Sequence, residues 1–440
     1  MTNFSVLSII ASFLLLSLSG CKLEEDLTID DTTALQATTA SATPNILLII
    51  ADDMGKDATA GFTEGSLKPN TPHIDNFKNT GLTFNNFWVY PTCSPTRASI
   101  ITGKYGYRTG VKWANDVLSN TEATLQCYIN QNTGNQYATA IVGKWHLSGD
   151  ALVNPENFGI NYYIGLLTGG VLSYNEWTLT EDGQQTEETS YVTEKFTDLA
   201  IDWVNQQSKP WFLWLAYTAP HTPFHAPPTE MHSQGNLPAY TRGSDPLPYY
   251  MAMIESMDYQ IGRLLDSIPP EELANTIIIF IGDNGTPEQV AQAPYTSTTA
   301  KKTLYQGGIN TPMFIAGPGI ARAGQTDSNL ITSTDLFATI ATLAGVTVSD
   351  IHDSKSFTHL FSNVGTHRDF QYSEMNDGTN DLWTISDGSY KLIVSASGEE
   401  EFYDLVSDPY ESTNLTANNL TFRQRMAKRN LEDALRQIRN

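Results

Sequence analysis

Short apolar runs recur along the chain, and segments with helical spacing lie between them. Four of the runs are continuous enough to indicate strands buried on both faces of a parallel sheet, at residues 46–51, 137–142, 211–217 and 276–281, with a further strand at 313–316. The clearest helical pattern has apolar residues at Tyr250, Ile254, Met257, Ile261, Leu264 and Ile268, and Pro269-Pro270 ends it. Strands that alternate with helices predict an α/β fold.

The pattern changes after about residue 348. An apolar helix at residues 336–344 closes the first part, and shorter strand-like pieces follow at residues 381–385, 390–395 and 402–405, before a basic helix near 422–438. We therefore expect a large mixed, mostly parallel sheet flanked by helices over residues 44–348, the domain that carries the candidate chemistry. A smaller α+β domain is predicted over residues 349–440.

The first twenty residues have the pattern of an export signal. An apolar stretch at residues 6–18 has the length of a signal-peptide core and is too short to span a bilayer. It ends in Leu18-Ser19-Gly20-Cys21, which resembles a bacterial lipobox, so we expect a signal peptide over residues 1–20 and a lipid on Cys21. Ordinary secretion is the alternative. Residues 21–43 are predicted to form a flexible tether, and the expected location is the periplasm or the outer membrane and cell surface of a bacterium.

The charge balance limits the partners that the chain can have. Its 440 residues include 25 Lys and Arg against 48 Asp and Glu, a formal net charge of −23. Such a surface repels polyanions, which argues against nucleic-acid binding through phosphate neutralisation. An enzyme with an anionic substrate would have to gather its few basic residues into one pocket. With only three cysteines, a Cys93–Cys127 disulfide is the structural alternative to a chemical role for Cys93.

Polar residues follow each of the four buried strands. They are Asp52-Asp53, Gly143-Lys144-Trp145-His146, Pro220-His221 and Gly282-Asp283-Asn284-Gly285, in chain order. Ligands bind outside the carboxyl ends of the strands in open parallel sheets, so these residues are expected to share one edge of the sheet. Each is by itself most simply a turn, but the repetition at four strand ends favours a site.

The metal candidates at this edge offer only oxygen ligands: Asp52, Asp53, Asp283 and Asn284. That is the preference of a hard cation, and Ca²⁺ is favoured over Mg²⁺ because it accepts carboxylate and amide oxygens in irregular geometry. A zinc pair of His221 and His225 is less consistent with the sequence, since the prolines around these residues prevent a regular helix.

Residues 91–103 predict a short helix. Ser94 is expected to cap its amino end, Pro95 to be its first residue and Gly103 to follow its last turn. Cys93 would then lie at the positive end of the helix dipole, and Arg97 would point back to the same end. This arrangement predicts an anion site.

These motifs resemble those of the formylglycine-dependent type I sulfatases, the arylsulfatase family of the alkaline-phosphatase superfamily. The first signature, Cys-x-Pro-x-Arg, is present as Cys93-Ser94-Pro95-Thr96-Arg97, and the second matches Gly143-Lys144-Trp145-His146. Similar blocks also occur at Ala51-Asp52-Asp53-Met54-Gly55, at Asp283-Asn284-Gly285, from Lys301 to Gly308 and from Tyr403 to Glu411. The resemblance covers nearly all of residues 44–415 in the expected order and implies an alkaline-phosphatase-like fold.

The resemblance implies a sulfuric ester hydrolase in which a maturation enzyme oxidises Cys93 to formylglycine. The hydrated aldehyde is a geminal diol: one hydroxyl attacks sulfur while the ester alcohol leaves, and the other then loses its proton and expels sulfate. The expected substrate is a sulfated carbohydrate or an aryl sulfate.

The resemblance also implies roles for individual residues. Asp52, Asp53, Asp283, Asn284 and the converted residue 93 would hold Ca²⁺, and Arg97 would help to stabilise the nucleophilic oxygen. Lys144 and His146 would orient the diol and help remove its proton, while His221 and Lys301 would contact the sulfate and assist the leaving alkoxide. His225 is expected to contact the sugar. The chain departs from the family pattern at Lys56, Gly282 and Gln306, which are neither matched metal ligands nor the nucleophile.

Two other functions remain open at this point. A phosphate or phosphonate ester hydrolase could use the same nucleophile, because phosphoryl and sulfuryl groups share a tetrahedral oxyanion shape. A glycan-binding lipoprotein could retain the fold without catalysis, but it should lack some of the site residues, and all the matched positions are present.

Overall fold

The structure is a computed structural model that describes residues 43–440. The predicted signal peptide, the predicted lipidation site Cys21 and residues 21–42 of the predicted tether lie outside the described residues. Within the described range, no helix combines the length and the apolar character needed to span a bilayer.

The described chain contains strands β1 (Asn45–Ala51), β2 (Leu82–Trp88), β3 (Ala138–Lys144), β4 (Tyr163–Leu166), β5 (Trp177–Glu181), β6 (Gln184–Glu188), β7 (Trp211–Ala216), β8 (Thr276–Gly282), β9 (Asn310–Ala316), β10 (Thr326–Asp327), β11 (Ile331–Thr332), β12 (Asp350–Ile351), β13 (Ser354–Lys355), β14 (Gln371–Asn376), β15 (Asp381–Ser386), β16 (Tyr390–Ser395) and β17 (Glu400–Asp404). Its α-helices are α1 (Pro72–Thr80), α2 (Cys93–Thr102), α3 (Gly106–Thr109), α4 (Leu125–Asn132), α5 (Val192–Val204), α6 (Leu247–Ser267), α7 (Pro270–Leu273), α8 (Gln306–Ile309), α9 (Asp335–Leu343) and α10 (Phe422–Arg439).

Eleven of the described strands form one mixed sheet. Its centre has the order β8, β1, β7, β3 and β4, and these five strands run parallel. Antiparallel strands extend the sheet on both sides, β9 and β2 beyond β8, and β5 and β6 beyond β4. The predicted large, mostly parallel sheet flanked by helices is confirmed.

Alternate residues of β1 pack into two separate hydrophobic clusters, one on each face of the sheet. Ile46, Leu48 and Ile50 belong to the cluster that includes α2, α4 and α9, whereas Leu47 and Ile49 belong to the cluster that includes α1, α5 and α6. Each fully buried side chain of this kind contributes about 1.5–3 kcal/mol of hydrophobic free energy. The run is uninterrupted because helices cover both faces of the sheet.

The C-terminal part forms a separate antiparallel sheet of β14 to β17. Helix α10 covers it with the buried residues Ala427, Leu431 and Leu435. Thr421 and Gln424 form a capping box at the start of this helix. The predicted small α+β region is therefore present, while the exact boundary at residue 348 stays a prediction.

Some strands are not indicated by the apolar runs. Strand β6 (Gln184–Glu188) has no apolar residue and is mostly exposed, because it lies at the outer edge of the sheet. In β2, the register shifts between Phe84 and Phe87, which places Asn85 and Asn86 inside a strand. Backbone pairing with its neighbour holds β6 in place, whereas β2 also packs Leu82, Phe84 and Phe87 into the core on either side of the irregular register.

Gly143 at the end of β3 tests how tightly the central strands pack. Its φ is +105°, and a Cβ there would lie 2.1 Å from the carbonyl oxygen of Ala216 on β7. We expect Gly143→Ala to lower the free energy of unfolding by about 2–5 kcal/mol, from backbone strain and overpacking.

Gly134→Ala is the matched control, because Gly134 has a φ of +62° but no atom within 4 Å of its added Cβ. This substitution should lower the free energy of unfolding by only about 1–2 kcal/mol. Urea unfolding of the two variants makes the comparison, and equal losses would contradict the packing explanation.

Candidate active site

The polar strand ends meet at one edge of the sheet, as predicted. Asp52 and Asp53 follow β1, Asp283 and Asn284 follow β8, Lys144 ends β3 and His221 follows β7. The pairings of Ala51 with Gly282 and of Gly143 with Ala216 bring these strand ends into register. Four central strands of the large sheet therefore position the candidate residues.

Cys93 opens helix α2, and every residue of this helix is buried. The prediction that Ser94 caps the helix and Pro95 begins it is wrong, because α2 already begins at Cys93. Pro95 fits inside the first turn, where backbone N–H groups have no partner within the helix. The hydroxyl of Ser94 instead accepts a hydrogen bond of 3.1 Å from the backbone N–H of Asn115. Gly103 follows the last turn with a φ of +68°, as predicted.

The Cys93 side chain points at two carboxylates. Its Sγ lies 3.2 Å from Oδ1 of Asp52 and 4.0 Å from Oδ1 of Asp53. Burial and the negative charge of Asp52 raise the pKa of the Cys93 thiol, so it stays protonated at neutral pH and is not an activated thiolate. Cys93 and Cys127 form no disulfide, which rules out the structural alternative.

Arg97, on helix α2, lies next to two of the carboxylates. Its Nε and Nη2 donate to Oδ2 of Asp283 at 3.1 and 2.8 Å, and its Nη1 donates to the backbone carbonyl of Lys144 at 2.8 Å. Nη2 also lies 3.7 Å from Oδ2 of Asp52, the oxygen with which Nζ of Lys144 pairs. Burial opposes the charge of Arg97, but Asp283 and Asp52 outweigh it and raise the pKa of the guanidinium.

Lys301 and His221 lie on another side of Asp53. Nζ of Lys301 lies 2.5 Å from Oδ1 of Asp53, and Nε2 of His221 lies 3.8 Å from Oδ2. Burial opposes the charge of Asp53, but Lys301 and His221 outweigh it, so its pKa falls below the usual range. The sequence places two lysines here, and Lys301 rather than Lys302 is the one that reaches Asp53.

The two histidines of the cluster are neutral at pH 7. Burial, opposed in part by Asp53, lowers the pKa of His221 to about 4. Burial and the charge of Lys144 lower the pKa of His146 well below its usual value. Nδ1 of His221 lies 2.7 Å from the backbone carbonyl of Thr222, so this nitrogen carries the proton and Nε2 faces Asp53 with a lone pair.

His225 lies in an aromatic stack beside the cluster. Its ring is 4.1 Å from that of Tyr174, measured between centroids, and its Nε2 lies 3.1 Å from the hydroxyl of Tyr191. Its Nδ1 lies 3.1 Å from the carbonyl of Pro223, and burial lowers its pKa to about 4. Both ring nitrogens are thus engaged by protein atoms, and the expected contact of His225 with a sugar stays a prediction.

The oxygen-rich side of the cluster fits a hard divalent cation. Four ligand atoms lie within 4.8 Å of one another: a carboxylate oxygen each of Asp52 and Asp53, Sγ of Cys93 and a ring nitrogen of His221. Oδ1 of Asn284 is buried and has no hydrogen-bond partner among the described residues, so a cation would satisfy it. Oδ1 of Asp283 accepts a 3.1 Å hydrogen bond from the backbone N–H of Asp53 and so belongs to the same cluster.

Motif reasoning missed two residues that hold His146. Oδ1 of Asn115 lies 2.8 Å from Nε2 of His146, and Gly169 approaches the same ring so closely that a Cβ would be 2.4 Å from Nε2. Nδ1 of His146 is buried and has no partner within the described chain. Neither Asn115 nor Gly169 follows a strand of the predicted set. The only sequence feature that could have pointed to Gly169 is the pair Gly169-Gly170, because two glycines permit close backbone approach.

Comparison with known proteins identifies the protein family to which the chain is similar. A family model described as Sulfatase matches residues 44–346, and one described as N-sulphoglucosamine sulphohydrolase, C-terminal, matches residues 298–440. The chain is 26% identical to the uncharacterized sulfatase YdeN of Escherichia coli (strain K12), over 86% of this chain and 82% of that protein. It is also 26% identical to the arylsulfatase of Klebsiella aerogenes, over 69% of this chain and 87% of that protein.

A solved structure is similar over most of the chain. The structure of Ps i-CgsB in complex with k-i-k-neocarrahexaose matches with a TM-score of 0.72 and 26% identity. The match covers 85% of this chain and 89% of the other.

The contact between Asn115 and His146 predicts one tautomer. Because Oδ1 of Asn115 accepts a hydrogen bond from Nε2–H, the neutral His146 ring should carry its proton on Nε2 and a lone pair on Nδ1. The ¹⁵N chemical shifts of the ring report this. We expect Asn115→Asp to keep the tautomer and Asn115→Ala to lose the preference, with the His225 shifts unchanged as a control. A fully retained Nε2–H form in Asn115→Ala would contradict the assignment.

Proposed function

Because the chain belongs to the sulfatase family, we propose that it hydrolyses sulfate esters, with sulfated glycans as its substrates. The observation that carries the proposal is the position of Cys93, which opens a buried helix and points at the carboxylates of Asp52 and Asp53. The glycan class is supported by the similar structure, which was solved with an oligosaccharide.

The charges of the cluster suit an anionic substrate. Three carboxylates, Asp52, Asp53 and Asp283, face three cations, Arg97, Lys144 and Lys301, so the fixed charges cancel. A bound divalent cation would make the cluster positive by two charges. The site would then attract a sulfate ester although the chain as a whole carries a formal charge of −23.

Conversion of Cys93 to formylglycine is part of the proposal. The raised pKa of the thiol supports it, since the unmodified side chain is a poor nucleophile at neutral pH. When converted and hydrated, the side chain supplies one hydroxyl that attacks sulfur and a second that allows sulfate to leave. Because α2 is wholly buried, the maturation enzyme would have to read this segment before the chain folds.

The surrounding residues divide into two groups around position 93. Lys144 and Arg97 stabilise negative charge on its oxygen, and the unpartnered Nδ1 of His146 is the acceptor for its proton. Of the two residues next to Asp53, Lys301 is charged and His221 is neutral. Lys301 is therefore the cation that meets the charge developing on the leaving oxygen, while His221 contacts the sulfate.

Ca²⁺ is the metal that we propose for the site, in preference to Mg²⁺, because the ligand set includes an amide oxygen and has no regular octahedral arrangement. Asp52, Asp53, Asp283, Asn284 and the converted residue 93 would hold it. When bound, it would supply positive charge that stabilises the nucleophilic oxygen.

Export and anchoring complete the proposed function. The lipobox-like sequence that ends at Cys21 supports a lipid-anchored protein at the periplasmic or outer surface of a bacterium, although Cys21 lies outside the described residues. A tethered enzyme with an acidic surface is suited to glycans taken from the surroundings.

Replacement of Cys93 tests the nucleophile. Cys93→Ala should lower kcat for an aryl sulfate by at least about 10³-fold, because the attacking oxygen is lost. The other buried cysteine is the control, and Cys127→Ala should retain activity. The mass of the peptide that contains residue 93, after coexpression with a maturation enzyme, reports conversion. An active Cys93→Ala variant, or a higher kcat/KM for the phosphate ester of the same alcohol, would overturn the proposal.

Replacement of Asn284 tests the metal site. Asn284→Ala removes the unpartnered buried oxygen and should weaken Ca²⁺ binding to chelator-treated protein by about tenfold or more, as calorimetric titration measures it. Asn130 is the matched control, since its Oδ1 is also buried without a partner among the described residues but lies on α4. Equal Ca²⁺ affinities of Asn284→Ala and Asn130→Ala would contradict the assigned ligand.

A further inference from the structure

A cavity of about 330 Å³ lies between the large sheet and the C-terminal sheet, away from the active-site residues. Residues of β2 and β9 form one wall, and the turns that contain Gly388 and Tyr410 form the other. None of the active-site residues described above lines it. Its volume is near the lower end of the ~300–1,000 Å³ typical of ligand sites, which suits a single ring-sized molecule.

A buried lysine that forms no direct ion pair with a described residue lies in this cavity. Lys56 is 3% exposed, and its Nζ donates to the backbone carbonyl of Asn85 at 2.5 Å and to Oδ1 of Asn310 at 2.7 Å. An ammonium group has three N–H donors, so one remains for a ligand. Lys144 and Lys391, which are also buried, each pair with a carboxylate. No described carboxylate lies within ion-pair distance of Nζ of Lys56, and Glu64, which also lines the cavity, acts on it only from farther away.

The lack of a carboxylate in direct contact with Lys56 makes the cavity receptive to an anion, even though Glu64 lines it as well. A buried charge is normally paired because its desolvation is costly. Burial lowers the pKa of Lys56 to about 8, although Glu64 opposes this. The centroid of the Phe62 ring lies 5.1 Å from Nζ of Lys56, and the ring supplies only a weak attraction. An oxyanion at the remaining N–H would compensate the charge that the protein leaves unpaired.

The remaining lining favours a sugar ring over a bare ion. Oδ1 of Asn85 is buried and has no hydrogen-bond partner among the described residues, so it can accept from a hydroxyl group. Trp88, Tyr295 and Tyr410 also line the cavity and supply aromatic surface against which a ring can pack. An inorganic oxyanion would leave both the amide oxygen and this surface without a partner.

We propose that this cavity binds one anionic monosaccharide residue, with its carboxylate or sulfate on Lys56 and a hydroxyl group on Asn85. The proposal does not rest on sulfate ester hydrolysis at the active site, because the two sites share no residue. It assigns the cavity a binding role and no catalytic one.

Calorimetric titration of the full chain tests the proposal with glucuronate and glucose 6-sulfate, against glucose and inorganic sulfate. Glucuronate and glucose 6-sulfate carry the two oxyanions that fit Lys56. We expect at least one of these two anionic sugars to bind more tightly than both glucose and sulfate. Lys56→Met should weaken that binding by about tenfold or more, because a charge-assisted hydrogen bond is lost.

Two variants separate recognition from folding. Asn85→Leu removes an oxygen that has no partner in the described chain and should weaken binding without lowering the thermal midpoint. Lys209→Met is the control, because Lys209 also donates to a backbone carbonyl but is exposed and does not line the cavity. Its affinity should equal that of the native chain.

Several results would overturn the proposal. The proposal is wrong if neither anionic sugar binds, or if inorganic sulfate binds as tightly as both of them. It is also wrong if Lys56→Met and Asn85→Leu both bind the sugar with unchanged affinity. Loss of binding in Lys301→Met, with Lys56→Met unaffected, would assign the ligand to the active site instead.

Discussion

Opposite charges buried side by side impose the main constraint on this structure. Asp52, Asp53 and Asp283 cannot be buried together unless cations lie between them, and Arg97, Lys144 and Lys301 supply those cations. Removing one partner of a buried ion pair costs about 3–5 kcal/mol, because the other charge is left unpaired. The carboxylates and cations must therefore be held in place by rigid elements.

The large sheet supplies that rigidity. Strands β8, β1, β7 and β3 lie side by side at its centre with helices packed on both faces, so their ends cannot move independently. Helix α2 brings Cys93 and Arg97 to the same edge as one buried unit. Loops then complete the site, since Asn115 and Gly169 contact the ring of His146 from two different parts of the chain. The chemistry thus depends on packing well beyond the motif residues.

Two departures from the family pattern come together away from the active site. Lys56 donates to Oδ1 of Asn310, and Nδ2 of Asn310 donates to Oε1 of Gln306 at 2.7 Å. Lys56 and Gln306 are 250 positions apart in the sequence, yet one amide side chain bridges them. The cavity that they line is a place where this chain differs in chemistry from the pattern that it otherwise follows.

The sequence by itself determined four of the five parallel strands of the sheet centre, the residues at the ends of those four strands and the motif around Cys93, but it did not indicate β4. Apolar runs and strand-end residues are local signals, and parallel strands necessarily bring their carboxyl ends to one edge. Local pattern failed at the start of α2, which begins at Cys93 rather than at Pro95, and at β6, which is held by pairing and has no apolar residue.

Only the tertiary structure decided which distant groups meet. The contact of Asn115 with His146, the choice of Lys301 over Lys302, and the cavity around Lys56 all depend on how loops pack against the sheet. Such contacts join residues far apart in the chain, and no short-range periodicity encodes them.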